Sequence, residues 1–208
     1  MAFIKNRQTK AVASDERKRT REYPDLIVQL GDANPTARRW AARDLAGFLE
    51  AASALVECLK REEEISVREV ILSSLTRMAN STAVAGLVDC LRSNNAALRN
   101  EAIETMKQLP DEVAPIMQGL LTDADSDVRI FAVNILESLC HPSVESWLIK
   151  VIEADEHVNV CATAVDLLSE VGTQAAVESL EALKSRFADE PYIQFSAGLA
   201  LRRIHEGR

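Results

Sequence analysis

The chain has 208 residues, of which 47% are hydrophobic, 27% are charged and only 4% are aromatic, and its formal net charge is -8. This composition is typical of a folded globular protein, and no apolar stretch approaches the ~18 residues that a membrane-spanning helix needs, so a membrane span is excluded. The scarcity of aromatic, glycine and proline residues favours helices over strands.

The first 22 residues differ in charge from the rest of the chain. They contain seven basic residues and three acidic ones, a net charge of +4, so the remaining 186 residues carry -12. We therefore predict a basic N-terminal arm over 1–22, partly disordered or helical, before an acidic domain over 23–208. The arm lacks the apolar segment of a signal peptide, and the sequence predicts a cytoplasmic protein.

The domain is built from an internal repeat. Six segments align without gaps at steps of 30, 31, 30, 32 and 33 residues, on Arg38, Arg68, Arg99, Arg129, Cys161 and Gln194. With the aligned residue at position 0, positions -1, +3, +4, +7 and +10 hold 29 hydrophobic residues and one glycine. Chance at this composition would supply roughly 14 hydrophobic residues, and the spacing is that of one face of an α-helix.

A shorter apolar helix is predicted before each of these helices, so each unit is a helical hairpin. One hairpin cannot bury its own apolar face, whereas stacked neighbours bury a continuous core. The predicted hairpins cover 23–52, 53–82, 83–112, 113–143, 144–174 and 175–206. Pro24 and Pro115 suit the first turn of a helix, where proline removes no intrahelical hydrogen bond.

Three of the six copies also place an acidic residue six positions before the aligned arginine: Asp32 before Arg38, Glu62 before Arg68, and Asp123 before Arg129. With this motif the chain resembles the HEAT-like repeats, in the short bacterial form named after phycobilisome lyase subunits. The other copies depart from the motif, with Ser93, Cys161, Ala188 and Gln194 at its positions. The resemblance implies an all-α fold, a right-handed α-α superhelix (solenoid) of about six HEAT-like hairpins, in which these charges are structural.

Positions +2, +5 and +9 of the second helices point away from the predicted core, and the resemblance places them on the concave wall of the solenoid. We predict that a protein partner binds there, through Trp40, Arg43, Val70, Arg77, Glu104, Phe131, Asn134 and Asp166. Exposed apolar groups beside arginine are typical anchors of protein interfaces. The alternative is structural: Trp40 would cap the open end of the first repeat and Phe131 would pack against the next helix.

No residue pattern predicts catalysis, a metal or a cofactor. The four cysteines lie far apart in apolar contexts, which favours buried thiols, and Cys140-His141 has no second Cys/His pair near it. The -12 charge of the repeat domain argues against a nucleic-acid partner, because phosphate binding needs many basic side chains.

The sequence therefore predicts a non-catalytic scaffold or adaptor that binds a protein on the concave face of a HEAT-like solenoid. Two alternatives remain open. One is an accessory subunit of a lyase-type enzyme that attaches a chromophore or cofactor, as the resemblance implies. The other is a nucleic-acid enzyme, which a continuous basic concave wall would favour.

Overall fold

The computed structural model describes residues 21–207, and over that part of the chain it contains twelve α-helices and no strand. The helices are α1 (Tyr23–Gln29), α2 (Pro35–Leu45), α3 (Ala52–Arg61), α4 (Ile65–Met78), α5 (Ser81–Leu91), α6 (Ala96–Met106), α7 (Pro110–Leu120), α8 (Ser126–Leu136), α9 (Val144–Ala154), α10 (Val158–Val171), α11 (Val177–Arg186) and α12 (Pro191–Glu206). The all-α prediction is confirmed, and none of these helices has the length and apolar character that crossing a membrane requires. The predicted arm falls almost wholly on residues 1–20, outside the described range.

The helices form six consecutive hairpins, α1–α2 to α11–α12, which we number as repeats 1 to 6. Each second helix packs against the second helix of the next repeat, from α2 through α4, α6, α8 and α10 to α12. First helices meet on the other side of the array, in the pairs α3–α5, α5–α7 and α9–α11. Each repeat thus touches its sequence neighbours, which is the arrangement of a solenoid.

The apolar pattern of the sequence forms the core. Of its thirty positions, all are buried except five, which are Ala37, Phe48, Val171, Gly198 and Ile204. Four of these five lie in the first and last repeats, where one neighbour is missing. The hydrophobic pattern therefore located the buried face of every second helix.

The second helices of repeats 1, 3 and 4 begin with the same local signal. Asn34, Asn95 and Asp125 each stand just before the helix and accept a hydrogen bond from the backbone N–H two residues later. Such caps satisfy N–H groups that have no partner within the helix. One expectation was wrong: α7 begins at Pro110, so Pro115 lies inside the helix rather than in its first turn.

The aligned arginines bridge neighbouring repeats. The Arg38 guanidinium donates to both carboxylate oxygens of Glu62, at 2.7 Å each, and Arg129 donates to those of Asp155, at 2.6 and 3.0 Å. Each arginine also donates to backbone carbonyls of its own turn, as Arg129 does to Asp123. The carboxylate partner is thus the turn acid of the following repeat, not the acid six residues earlier.

At the other junctions, different residues form the bonds between neighbouring repeats. Arg68 donates to both carboxylate oxygens of Glu101 on α6, because the turn of repeat 3 carries a serine. Arg99 donates to the Ser93 carbonyl and forms no ion pair with any described residue. Where Cys161 replaces the arginine, the guanidinium comes from the next repeat, as Arg186 donates to carbonyls at the end of α9.

The ion-pair ladder makes stability depend on pH below neutrality. The hydrogen bond from Arg38 lowers the pKa of Glu62; burial alone would raise the pKa of Asp155, but hydrogen bonds from Arg129 and the His157 N–H outweigh it and lower that pKa too. Because both pKa values are lower in the folded state, these groups stabilise the fold above their unfolded pKa of about 4 and lose that contribution as pH falls below it. Urea unfolding at stepped pH should show this loss, and the fall should be shallower in Glu62→Gln. Parallel curves for the two proteins would contradict it.

Gly86 marks a close approach of α3 and α5. A methyl group at Gly86 would overlap the γ carbons of Val56, which is buried and branched at Cβ. We expect Gly86→Ala to lose about 1–3 kcal/mol to overpacking, more than the ~1 kcal/mol that alanine gains in a helix. Gly119 on α7 is the matched control, since a methyl group there meets nothing within 4 Å.

Urea unfolding of both variants measures the difference. Gly119→Ala should be neutral or stabilising, whereas Gly86→Ala should destabilise, and Val56→Ala should reduce the cost of the Gly86 change in a double-mutant cycle. Equal effects of the two glycine variants would show that α3 and α5 are not in close contact.

Candidate functional site

The second-helix wall is the surface formed by positions +2, +5 and +9 of the second helices, together with the side chains that contact or adjoin them. The eight predicted partner-binding residues lie on it, on α2, α4, α6, α8 and α10. Arg43, Arg77, Glu104 and Asp166 are exposed, whereas Trp40, Val70, Phe131 and Asn134 are half-buried. The charged residues therefore stand where the helical wheel placed them, and the apolar ones are less exposed than it suggested.

The wall is basic near repeats 1 and 2. Arg21, Arg43 and Arg77 line a depression of about 410 Å³, together with Asp44 and Phe48. The Arg43 guanidinium lies 5.2 Å from the centre of the Trp40 ring, within the range of a cation–π contact. The structure thus brings Trp40, Arg43 and Arg77, three of the predicted residues, to one end of the wall.

The wall is acidic near repeats 4 and 5. Asn134 and Asp166 line a depression of about 210 Å³ with the carboxylates of Glu137 and Glu170. The Asp166 carboxylate accepts a hydrogen bond of 2.8 Å from the Tyr192 hydroxyl, which raises the pKa of that hydroxyl. This end can hold positively charged groups of a partner, because its carboxylates outnumber its cations.

Between these ends the wall carries both signs of charge. Lys107 lies between Glu104 and Glu137, with nitrogen–oxygen distances of 3.1 and 3.2 Å. The Phe131 ring on α8 packs against the core, and the Arg99 guanidinium on α6 lies 5.7 Å from the centre of that ring. Phe131 is thus half-buried between the core and the Arg99 side chain of α6.

Four residues of the wall were missed from the sequence. Lys107 and Glu137 occupy position +8, which the helical wheel had left outside the three rows, although the opposite charges of these two successive copies were visible. Arg21 had been assigned to the arm, and Tyr192 precedes the aligned residue of repeat 6 by two positions. The side chains of these two residues reach the wall, because Arg21 contacts the Asp44 carboxylate and Tyr192 contacts the Asp166 carboxylate.

A second surface lies on the side of the first helices. A mostly apolar groove of about 640 Å³ runs between α5 and α7, with Val88 and Ile116 among its lining residues. A smaller depression of about 420 Å³ separates α7 from α9, and Trp147 lines it. The first-helix side thus offers apolar contact area that the sequence did not predict.

The side chains that could act as nucleophiles or metal ligands are dispersed over the fold. Cys58, Cys90 and Cys161 are buried, while Cys140 is exposed, contrary to the expectation of buried thiols. Burial raises the pKa of Cys90 to about 11. His141 stacks on Trp147 with ring centres 4.8 Å apart, and within residues 21–207 no three histidine, cysteine or acidic residues form a group that could hold a metal.

Comparison with known proteins gives matches along nearly the whole described chain. The family model described as HEAT repeats matches residues 23–107 and 113–202. The uncharacterized phycocyanin operon protein Z of Pseudanabaena tenuis is 24% identical over 195 residues, which cover 86% of this chain and 93% of that protein.

Comparison with solved structures also gives matches at low sequence identity. The archaeal HEAT-like repeats protein of Thermococcus onnurineus NA1 is 16% identical, with 97% of this chain and 94% of that chain covered and a TM-score of 0.48. The complex of CpcE and CpcF of phycocyanin lyase from Nostoc sp. PCC7120 contains a chain that is 18% identical, with 91% and 96% covered and a TM-score of 0.36.

Proposed function

The chain belongs to the HEAT-repeat family, and on that premise we propose that it is a non-catalytic, cytoplasmic scaffold or adaptor whose protein partner binds the second-helix wall. A stacked array of hairpins presents a long, continuous surface made of many similar helices, which suits an extended protein partner. Membership of this family supports a binding role, and the charges of the wall support this position for the partner.

The observation that carries the proposal is the division of the wall into two charged ends. Arg43 and Arg77 stand together at one end, and Glu137, Asp166 and Glu170 stand together at the other. Complementary charges steer a partner and fix its orientation, even where they add little affinity. Half-buried Trp40, at the basic end, and half-buried Phe131, on α8, supply aromatic contact area beside the charges, as interface anchors do.

The three buried thiols support a role without catalysis. A nucleophilic cysteine needs a depressed pKa and access to substrate. Burial raises the pKa of Cys58, Cys90 and Cys161, and each of these thiols is enclosed in the core. Cys161 instead takes the place of a junction arginine and donates to the Asp155 carbonyl.

A second candidate function is an accessory subunit of a lyase-type enzyme that attaches a chromophore or cofactor. The observation that favours it is the relative from a phycocyanin operon, which matches this chain over most of both lengths. In this case the partner on the wall would be an enzyme subunit or the protein that receives the chromophore.

Capture of partners by the full-length chain from its native cell, followed by mass spectrometry, tests both candidates. Wild type should retain a partner that the charge-reversed variant Arg43→Glu/Arg77→Glu loses, while Glu178→Lys/Glu181→Lys on α11 retains it. A captured protein that carries a covalent chromophore, with attachment that depends on this chain, would favour the second candidate. A partner retained equally by all three proteins would place the binding site elsewhere.

A further inference from the structure

The groove between α5 and α7 lies on the first-helix side and takes no part in the proposed function. We infer that this groove is a second docking site, which takes a basic amphipathic helix of a protein partner. The inference is independent of the second-helix wall and of the partner proposed for it.

The groove is open because small residues line both of its sides. At the neighbouring contact of α3 and α5, a methyl group added at Gly86 would overlap Val56, so those two helices touch. At Gly119 on α7 an added methyl group meets nothing within 4 Å, and Ala85 on α5 is exposed. The result is a depression of about 640 Å³, which is within the range of about 300–1,000 Å³ for ligand sites.

The lining of the groove is mostly apolar, with acidic residues as its charged members. The larger apolar residues come from both helices and are Val84, Val88, Pro115, Ile116 and Leu120. The carboxylates are those of Asp89, Glu112 and Asp123, and no lysine, arginine or histidine of the described chain lines the groove. An apolar surface of this kind beside carboxylates is suited to a partner that combines apolar and basic side chains.

Only part of the negative charge of the groove is neutralised. Asp123 pairs with Arg92, and the Asp89 carboxylate lies 3.3 Å from the ammonium of Lys60, which it shares with a second carboxylate on α3. The Glu112 carboxylate is half-buried and forms no ion pair or hydrogen bond with any described residue. A basic partner therefore finds complementary charge here, whereas an acidic partner or an anionic lipid surface is repelled.

A helix is the element that fits this lining. The backbone N–H and C=O groups of α5 and α7 are largely bonded within their own helices, so an extended segment in the groove would leave its own backbone unpaired. A helix satisfies its own backbone groups and presents apolar side chains at positions i, i+3, i+4 and i+7. Both α5 and α7 have 11 residues, a length of about 16 Å, which matches about three turns of a bound helix.

Peptide binding to the full-length chain tests the groove. The probe is a fluorescein-labelled helix of about 14 leucine and lysine residues with its leucines on one face, and the comparison peptide has glutamate in place of lysine. Fluorescence anisotropy is measured at about 0.15 M salt, where long-range attraction is screened. The lysine peptide should bind at least about tenfold more tightly than the glutamate peptide.

Filling the groove should remove this binding. Gly119→Trp and, from the opposite side, Ala85→Trp should each weaken binding of the lysine peptide by about tenfold or more, because the indole takes the place of the partner's apolar side chains. Gln118→Trp is the matched control, since Gln118 is also exposed on α7 but lines the depression towards α9. This control should leave binding unchanged, and urea unfolding checks that all three variants are folded.

Charge reversal separates the groove from the other acidic surface. Glu112→Lys should weaken binding of the lysine peptide about threefold to tenfold and strengthen binding of the glutamate peptide. Asp166→Lys/Glu170→Lys, at the acidic end of the wall, should change neither. Equal binding of the two peptides, or loss of binding in the wall variant with Gly119→Trp unaffected, would overturn the inference. A wild-type dimer that Gly119→Trp converts to monomers would overturn it too, because the occupant would then be a second copy of this chain.

Discussion

Replacing Arg129 by alanine is expected to lower the free energy of unfolding by about 3–5 kcal/mol, because it removes one partner of a largely buried ion pair. The Asp155 side chain is only 7% exposed and accepts two hydrogen bonds from Arg129. Without the guanidinium, that carboxylate keeps only the His157 N–H as a donor, and the Asp123 and Ala124 carbonyls lose the hydrogen bonds from Arg129. The far-ultraviolet circular dichroism should stay helical while urea unfolds the variant at lower concentration.

Arg92 provides the matched control for Arg129. It also pairs with an aspartate across a repeat junction, Asp123, but 46% of its side chain is exposed. Arg92→Ala should therefore cost roughly 0–1 kcal/mol, as exposed pairs do. If Arg129→Ala and Arg92→Ala change the unfolding free energy equally, the aligned arginines do not have the structural role that the fold gives them.

Substitution of the aromatic residues of the wall should have the largest effect on binding. If Trp40 and Phe131 are anchors, Trp40→Ala or Phe131→Ala weakens partner binding by about 1–4 kcal/mol. Charge reversal at Glu104 or Asp166 should mainly slow association and change its salt dependence, because both carboxylates are exposed. Titration calorimetry and stopped-flow association with the captured partner measure the two effects.

Two controls separate binding from folding and from the other surface. Since Phe131 also packs against the core, its variants are compared at equal folded fraction, and Phe131→Leu should keep more of the core contact. Glu57→Lys and Asp89→Lys change the first helices and should leave affinity nearly unchanged. Loss of binding in these two, with Trp40→Ala unaffected, would assign the partner to the groove between α5 and α7.

The sequence predicted the repeat and its buried face because both follow from periodicity. Side chains three and four residues apart share a helix face, so the apolar positions of each second helix could be read directly from the chain. The same argument placed Arg43, Glu104 and Asp166 on the exposed side, where the structure has them. These results depend only on local geometry.

The pairing between repeats could not be read in the same way. The motif places Asp123 and Arg129 six residues apart. The carboxylate that Arg129 binds is that of Asp155, which is 26 residues later in the turn of the next repeat. At the junction where Cys161 replaces the aligned arginine, the guanidinium that binds the Asp155 carbonyl belongs to Arg186 on α11. The half-burial of Trp40 also depends on how its neighbours pack, and helical periodicity carries no information on that.

Among the junctions that keep an aligned arginine, the one between repeats 3 and 4 differs from the rest, because Arg99 reaches no carboxylate among the described residues. Lys107–Glu137 and Arg92–Asp123 span this junction, but each pair has one largely exposed side chain and is easily broken. A solenoid bonded only to its nearest neighbours behaves like springs in series, and its extension is concentrated in the softest spring. We expect that spring here, and single-molecule stretching would show it as an early yield at this junction. A partner that binds both the basic and the acidic end of the wall would bridge the junction between repeats 3 and 4 and would set the curvature of the whole array.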